Sequence, residues 1–574
     1  MRRFTDWRIQ RIPATGGYTR HMVQHANPLS KKMNNKTIGI AIGVCILLFV
    51  PFLGCVHLFD WDEINFAECA REMVTSGNYS TVTIDYLPFW EKPPLFIWMQ
   101  AISMKIFGIN EFAARFPNVV AALFTILTLI YHGTQHQNRK FGYWWAAFYI
   151  GSFLPNMYFH SGIIDPWFNL FIFNSIAFYY LGTTKQRIHE FLFAGLFAGL
   201  AVMTKGPVAI LLIGASVFLF HLLTKFKSFP KFTFISVTLI ATLIISLLWF
   251  ILLWISGNKA IITQFLDYQV RLFETKDAGH GGPIYYHWLV LLLGCFPASF
   301  FALGSFFSKK SYQNPFNSIV LISGVFTLIL FSIVQTKIIH YSSFCYFFIT
   351  YFAALTISQS EKSSIRGIWS TISYLLLISI GMGILVYIQV FGEGITQVIT
   401  IKDPFALANL SADEPWRLID FIPVLVWLSA AGVSIYFMRT QRIQQAVQTL
   451  LIGVAIGILC IQATILPHIE QYTQRAAITF YEKQAPKNVY LIPLGFKSYA
   501  HLFYGQIKPH QNNNRFNEAW VCSDSTDLPV YYVARIPMHE NYLKAYPNLK
   551  KLYMKNGFVF LTQKKNLSLN SKDK

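Results

Sequence analysis

The sequence predicts a polytopic α-helical membrane protein with about thirteen transmembrane helices. Three observations predict it. Apolar stretches of spanning length recur from Thr37 to about Pro467. The chain is 574 residues long, 54% hydrophobic and only 13% charged, which is more apolar and less charged than a soluble domain. Lys and Arg gather in alternate short loops between the stretches, the bias that marks cytoplasmic loops.

Residues 1–36 are polar and basic, with Arg2, Arg3, Arg8, Arg11 and Arg20 ahead of Lys31, Lys32 and Lys36. They read as a cytoplasmic extension without a cleavable signal, and Met33 is an alternative start. The transmembrane domain covers 37–467. Its spans fall near 37–58, 112–133, 142–160, 162–182, 191–204, 206–224, 232–256, 286–306, 316–335, 341–358, 367–391, 417–438 and 445–467. One alternate set of loops carries Arg139 and Lys140; Lys185 and Arg187; Lys225, Lys227 and Lys231; Lys309 and Lys310; Lys362 and Arg366; Arg439 and Arg442. Those loops are assigned to the cytoplasm. The opposite face then carries the long loops 59–111, 257–285 and 392–416, and an odd span count adds 468–574.

In the first long loop, Glu63 to Met73 and Pro94 to Phe107 have helical spacing and are expected to lie flat at the interface. Between them, Ser76-Gly77-Asn78 is a turn signal and Ser80 to Ile84 an extended piece. In the tail, Ile469 to Lys483 reads as a helix. Asn488 to Pro493, Pro529 to Ile536 and Gly557 to Thr562 read as strands. A small α/β domain over 468–563 fits, followed by a disordered tail, 564–574.

The net charge of +20 does not indicate nucleic acid, because the excess is dispersed through short loops and the N-terminal extension. The seven cysteines form no disulfide framework and no zinc pattern. Only Cys69 and Cys522 fall in external segments, and no spacing supports pairing them. No repeat, P-loop or G-x-G-x-x-G motif is present.

The ionisable residues that remain fall at the face opposite the basic loops. Charges near a bilayer core are expensive, so a set drawn from distant segments reads as an active site. Asp60, Asp62 and Glu63 open the first external loop. Three carboxylates in four residues suit cation, metal or general-base work, or a solvated loop start. Glu91 and Lys92 are fixed by Pro93 and Pro94. The ammonium suits a phosphate and the carboxylate a metal or sugar hydroxyl, unless the two form an interfacial salt bridge. Asp165, before Pro166, sits among apolar neighbours as a site acid or a helix N-cap. Lys205 lies in a tight external turn, where it steers an anionic head or snorkels. His280 lies between glycines in the second long loop. Lys337 and His340 link two spans at the same face. Two histidines near carboxylates and lysines point to metal or phosphate contact.

The run Asp62-Glu63, Ala67-Glu68, Ala70-Arg71-Glu72-Met73, Ser76-Gly77, Glu91-Lys92-Pro93-Pro94-Leu95, Trp98, Phe107-Gly108 and Asn110-Glu111-Phe112-Ala113-Ala114-Arg115-Phe116-Pro117 resembles the ArnT-like branch of membrane glycosyltransferases. That branch is typified by 4-amino-4-deoxy-L-arabinose lipid A transferase and is related to protein O-mannosyltransferases. Asp165, Thr204-Lys205-Gly206, His280 before Pro283, and Thr336-Lys337 with His340-Tyr341 extend the likeness over most of the chain. The resemblance implies a GT-C fold with a cavity at the periplasmic membrane face and a polyprenyl-phosphate sugar as donor. It implies Asp62 as principal catalytic carboxylate, beside Glu63, with Asp165 as a second acid. It assigns Lys92 to the donor phosphate; Lys205 and Lys337 are further phosphate candidates by their own positions, not by the resemblance. Glu91 would help hold a divalent metal (Zn, Mg or Mn), with the His280 and His340 regions at the metal or the phosphate. One departure stands out: Asn65 occupies a position where family members often carry Arg.

The expected function is therefore an inner-membrane glycosyltransferase. It would move a sugar from a polyprenyl-phosphate donor to lipid A or another envelope glycan or protein, with membrane lipids and no nucleic acid as partners. The rival readings are a transporter or flippase of a lipid-linked sugar, and a ligase moving a whole glycan from a polyprenyl diphosphate. Transporters place ionisable residues near the midplane, often with inverted repeats, and neither feature is seen here.

Overall fold

A computed structural model of the chain describes residues 34–274, 281–392, 396, 400–412, 414–509 and 512–566. The expected N-terminal extension and disordered tail lie almost wholly outside these residues, as does His280.

Each predicted apolar stretch carries helix. Among the described residues, seven helices are long and apolar enough to cross a membrane, or eight if one bent pair is a single span. The others are shorter or less apolar than the sequence reading assumed, and prolines account for several of the differences. The first helix, Asn35–Phe49, is capped by Asn34, whose side chain accepts from the Thr37 N–H at 2.9 Å. It stops at Pro51, which cannot donate to a helical ladder, rather than running to residue 58. The predicted span 286–306 is two helices, Tyr286–Gly294 and Ala298–Phe306, bent by 109°, with Pro297 at the break. Two further helices, Lys259–Glu274 and Pro404–Leu410, lie in the long loops 257–285 and 392–416.

The helices are sorted by what covers them. Asp165–Lys185 is buried along most of its length and is apolar on nearly every side, as expected for a helix at the centre of a bundle. Ile188–Lys205 packs antiparallel against it and also against Phe232–Ile255. Phe232–Ile255 instead exposes Leu239, Ile240, Leu243, Ile244, Leu248 and Ile251. A stripe of that size would be a liability in water and is at home in lipid. The chain is a multi-pass membrane protein.

The first long loop and the tail form one structure. The helix Asp62–Ser76 is covered by protein along most of its length: every residue from Glu63 to Met73 is buried. Its charged face is neutralised from within, since Arg71 makes two 2.7 Å bonds to Glu68 and a third, of 2.9 Å, to the Ile507 carbonyl of the tail. A short hairpin, Thr83–Ile84 with Leu87–Pro88, and the helix Leu95–Phe107 follow.

The tail carries a four-stranded sheet. Tyr490–Leu494 runs parallel to Val530–Arg535, which pairs antiparallel with Phe558–Gln563, which pairs antiparallel with Leu549–Lys555. Three strands match the sequence expectation, and the fourth, a Lys-rich edge strand, was not foreseen. Side chains alternate across the sheet. Leu491, Tyr531, Val533 and Phe560 pack with Ile478 and Phe480 of the tail and with Ile64, Ala67, Ala70 and Met73 of the first loop. Tyr490, Val530, Tyr532, Val559 and Leu561 form a second core on the other face. The predicted tail helix is broken at Gln474 into Ile465–Thr473 and Arg475–Gln484, and the Gln474 side chain donates to the Leu58 carbonyl at 2.8 Å.

Candidate active site

Four segments far apart in sequence meet at one end of the bundle. Asp165 begins the helix Asp165–Lys185, and Lys205 ends the helix Ile188–Lys205. These neighbours are antiparallel, so the start of one lies beside the end of the other. Lys205 Nζ donates to Asp165 Oδ1 at 2.7 Å. The Asp165 side chain is 3% exposed and that of Lys205 16%. The ammonium also lies 5.4 Å from the Phe168 ring and 5.3 Å from the Tyr341 ring, cation–π distances. Gly206 ends the helix at a φ of +89°, and a Cβ there would sit 3.1 Å from Phe265 of the Lys259–Glu274 helix. Asp165 is not the N-cap: Ile164 holds that position, and no side chain caps the helix end.

Asp62, the first residue of the Asp62–Ser76 helix, enters from the first loop. His340 enters from a turn of 3₁₀ helix, Ile339–Ser342. His340 Nε2 lies 3.4 Å from Asp62 Oδ2 and 4.0 Å from Asp165 Oδ2. Burial sets the His340 pKa below its ordinary value, with Asp165 and Asp62 pulling it up and Lys205 and Lys92 pushing it down. The same ring nitrogen faces both carboxylates. Asp62 is the accessible member, with its side chain 39% exposed. The 21-residue helix that starts at Asp165 places this cluster about 30 Å from Lys185 at its other end. Site and basic loops therefore lie at opposite ends of the bundle.

Glu91 and Lys92 stand beside the cluster and meet the second long loop at Tyr268. The Tyr268 hydroxyl donates to Glu91 Oε2 at 3.3 Å, and its ring lies 5.5 Å from Lys92 Nζ. Nothing in the sequence singled out Tyr268, which sits on the unforeseen Lys259–Glu274 helix.

Two candidates are spent on the scaffold. Glu63 accepts from Arg115 Nε at 2.8 Å and Nη2 at 2.9 Å, from the Gly162 N–H at 2.6 Å and from the Phe59 N–H at 2.8 Å. Arg115 also donates to the Leu53, Val56 and His57 carbonyls. Gly162 permits this approach, because a Cβ there would lie 3.1 Å from Glu63 Cγ. Lys337 Nζ donates to the carbonyls of Phe331, Ser332 and Val334 at 3.0, 2.7 and 2.5 Å, capping the helix Pro315–Ile333. Its three protons are all engaged. Asn65 is buried and turned toward Cys69, whose thiol donates to its Oδ1 at 3.8 Å. It takes no part in the cluster. Among the described residues no group of three or more His, Cys, Asp or Glu side chains is placed to hold a metal ion. The expected metal set of Glu91, His280 and His340 includes a residue, His280, that lies outside the described residues. Cys69 and Cys522 are unpaired and buried.

The comparisons can be set against this geometry. The family model described as Dolichyl-phosphate-mannose-protein mannosyltransferase matches residues 91–250. An undecaprenyl phosphate-alpha-4-amino-4-deoxy-L-arabinose arabinosyl transferase of Shewanella sediminis is 29% identical over 54% of this chain and 58% of its own length. One of Pectobacterium carotovorum is 24% identical over 69% of this chain and 75% of its own. The chain thus spans little more than half the length of the first of these relatives. The crystal structure of ArnT from Cupriavidus metallidurans bound to undecaprenyl phosphate superposes with a TM-score of 0.73, covering 92% of this chain and 98% of that one at 16% identity. The chain is ArnT-like in sequence and has the ArnT fold. This is the GT-C architecture that the first-loop motif implied. In this chain the first loop, the central antiparallel helix pair and one inter-helix turn all end at the same face, which is why Asp62, Asp165, Lys205 and His340 converge.

Proposed function

We propose that the protein is an integral-membrane glycosyltransferase of a bacterial inner membrane. It moves a sugar from a polyprenyl-phosphate donor to lipid A, or to another envelope acceptor, at the periplasmic face. The observation that carries this reading is the placement of Asp62 against His340 and the Asp165–Lys205 pair at the end of the bundle opposite the basic loops. The relatives named as arabinosyl transferases support it. The position of the basic loops supports a periplasmic site.

The chemistry follows from the side chains. When the sugar leaves its phosphate, negative charge grows on the departing oxygen. Cations fixed nearby in a partly dry site oppose that charge more strongly than water does. Lys92, next to Tyr268, and Lys205, held by Asp165, supply them. Asp62, open to solvent on one side, meets the acceptor. It accepts the proton of an attacking hydroxyl, or only orients the nucleophile if the acceptor is already a phosphate. His340 bridges Asp62 and Asp165 through its Nε2 and holds Asp62 in place. Glu63 and Lys337 are given structural roles.

The test is mass spectrometry of lipid A from cells lacking the gene, complemented with wild type or with Asp62→Asn. A sugar-sized mass increment should return with wild type and not with the variant, at equal protein levels. A fully active Asp62→Asn variant would remove Asp62 from the chemistry. Unchanged lipid A in the deletion strain would move the acceptor to another envelope glycan or a protein.

A further inference from the structure

We infer that Trp61, Lys497 and Arg535 form an acceptor subsite that seats a phosphorylated sugar headgroup beside Asp62. The inference rests on the glycosyltransferase reading and names the substrate chemistry of that site.

Trp61 precedes Asp62 directly and is 40% exposed, an unusual state for an indole that a core could have buried. It is held in place by the tail. Its ring meets that of Tyr499 edge-on at 5.7 Å, and Lys497 Nζ lies 4.9 Å from the Trp61 ring and 5.6 Å from the Tyr499 ring. Lys497 follows Phe496, over whose ring the Arg535 guanidinium lies at 4.9 Å, with Phe405 on another side at 4.8 Å. Both cations are exposed, and among the described residues neither has a carboxylate within ion-pair distance. The nearby acid is Asp60. It accepts from the Tyr499 N–H at 3.4 Å, and the Arg535 charge reaches it without forming a pair.

The rim thus offers an exposed indole, two exposed cations outside any ion pair among the described residues, and the neighbouring carboxylate of Asp62. A sugar ring stacks on an indole through its apolar face, while ammonium and guanidinium groups take phosphate oxygens. The surrounding tail is basic, with thirteen Lys and Arg against six Asp and Glu over residues 468–566, which favours an anionic partner. The donor's phosphate is assigned to Lys92 and Lys205 within the bundle. The rim belongs to the sheet domain outside it, so the headgroup it takes is the acceptor's.

The experiment measures binding to the full-length protein in nanodiscs of zwitterionic lipid, with no turnover. The probes are bisphosphorylated lipid A, the same lipid after enzymatic dephosphorylation, undecaprenyl phosphate and inorganic phosphate. Lys497→Gln, Lys497→Glu and Arg535→Gln should each weaken bisphosphorylated lipid A by about tenfold. Binding of the dephosphorylated lipid and of undecaprenyl phosphate should stay at the wild-type level. Millimolar inorganic phosphate should not displace the lipid. Wild-type affinity of both Lys497 variants for bisphosphorylated lipid A would overturn the proposal. So would an equal loss for undecaprenyl phosphate, which would mean a general anionic-lipid surface, or full displacement by phosphate, which would mean a site for the free ion. Failure of the glycosyltransferase reading appears separately, as no sugar transfer by the wild-type protein with the Lys497 binding defect intact.

Discussion

Lys205 donates a 2.7 Å hydrogen bond to Asp165, closing an ion pair between the end of one helix and the start of its antiparallel neighbour. The carboxylate is 3% exposed, so removing the lysine strands a buried charge. Lys205→Met should destabilise the protein by about 3–5 kcal/mol. The double variant Asp165→Asn, Lys205→Met should recover more than half of that, because no unpaired charge remains. Thermal unfolding in detergent measures both. A double variant no more stable than the single one would show that the pair is not what holds these helix ends.

Glu63 and Asp62 are adjacent in sequence and should behave oppositely. Glu63→Gln breaks a buried pair with Arg115 and should cost about 3–5 kcal/mol, seen as lower yield and lower melting temperature. Asp62→Asn removes a half-exposed charge at a helix start and should cost less than about 1 kcal/mol, while transfer is lost. A stable but inactive Glu63→Gln variant would return Glu63 to the chemistry.

Lys337 is predicted to matter for folding rather than for donor binding. Lys337→Met leaves three carbonyls without their shared donor and should cost about 1–3 kcal/mol. The affinity for undecaprenyl phosphate should change by less than about twofold, whereas Lys92→Ala should lower it by about tenfold or more. Titrating both purified variants with undecaprenyl phosphate separates the two roles. Equal losses would place Lys337 at the phosphate.

Glu72 gives the first loop a pH dependence. Burial first, and then the Glu68 charge, push its pKa up to about 8 against hydrogen bonds from Thr83 and the Tyr86 N–H. A carboxyl whose folded pKa lies above its unfolded value adds stability that is full below the unfolded pKa. That stability is lost as pH rises through the folded one. The window here runs from about pH 4.5 to about pH 8. Glu72→Gln keeps an acceptor for Thr83 and should flatten the fall in melting temperature over that window. Parallel pH curves for wild type and variant would rule Glu72 out as the titrating group.

The fold was legible where hydropathy and loop charge carry it. The positions of the helices and the gathering of polar residues at one end both follow from the apolar stretches and the basic loops. What hydropathy cannot resolve is where an apolar run stops being helix, because Pro51 and Pro297 hardly alter its average. The Lys259–Glu274 helix and the Leu549–Lys555 strand were missed because tertiary packing, not a clean period, selects them.

The site was legible as a set but not in its division of labour. Asp62, Asp165, Lys205 and His340 come together, whereas Glu63 and Lys337 are absorbed by the scaffold. One signal for Glu63 was available: Arg115 stands near the start of an apolar helix, and a guanidinium there must find a carboxylate. Lys337 carried no comparable mark, since a lysine that caps a helix and a lysine that binds phosphate look alike in sequence.

The core shared by Ile64, Ala67 and Met73 with Leu491, Val533 and Phe560 joins the start of the chain to its end. While the ribosome is still making the later transmembrane helices, the helix that carries Asp62 has only part of its native cover, because the strands it packs against have not yet been translated. The end of the molecule that carries Asp62 is therefore completed last, after the membrane has already received nearly all of the protein, and a nascent chain released early would be inserted but incomplete.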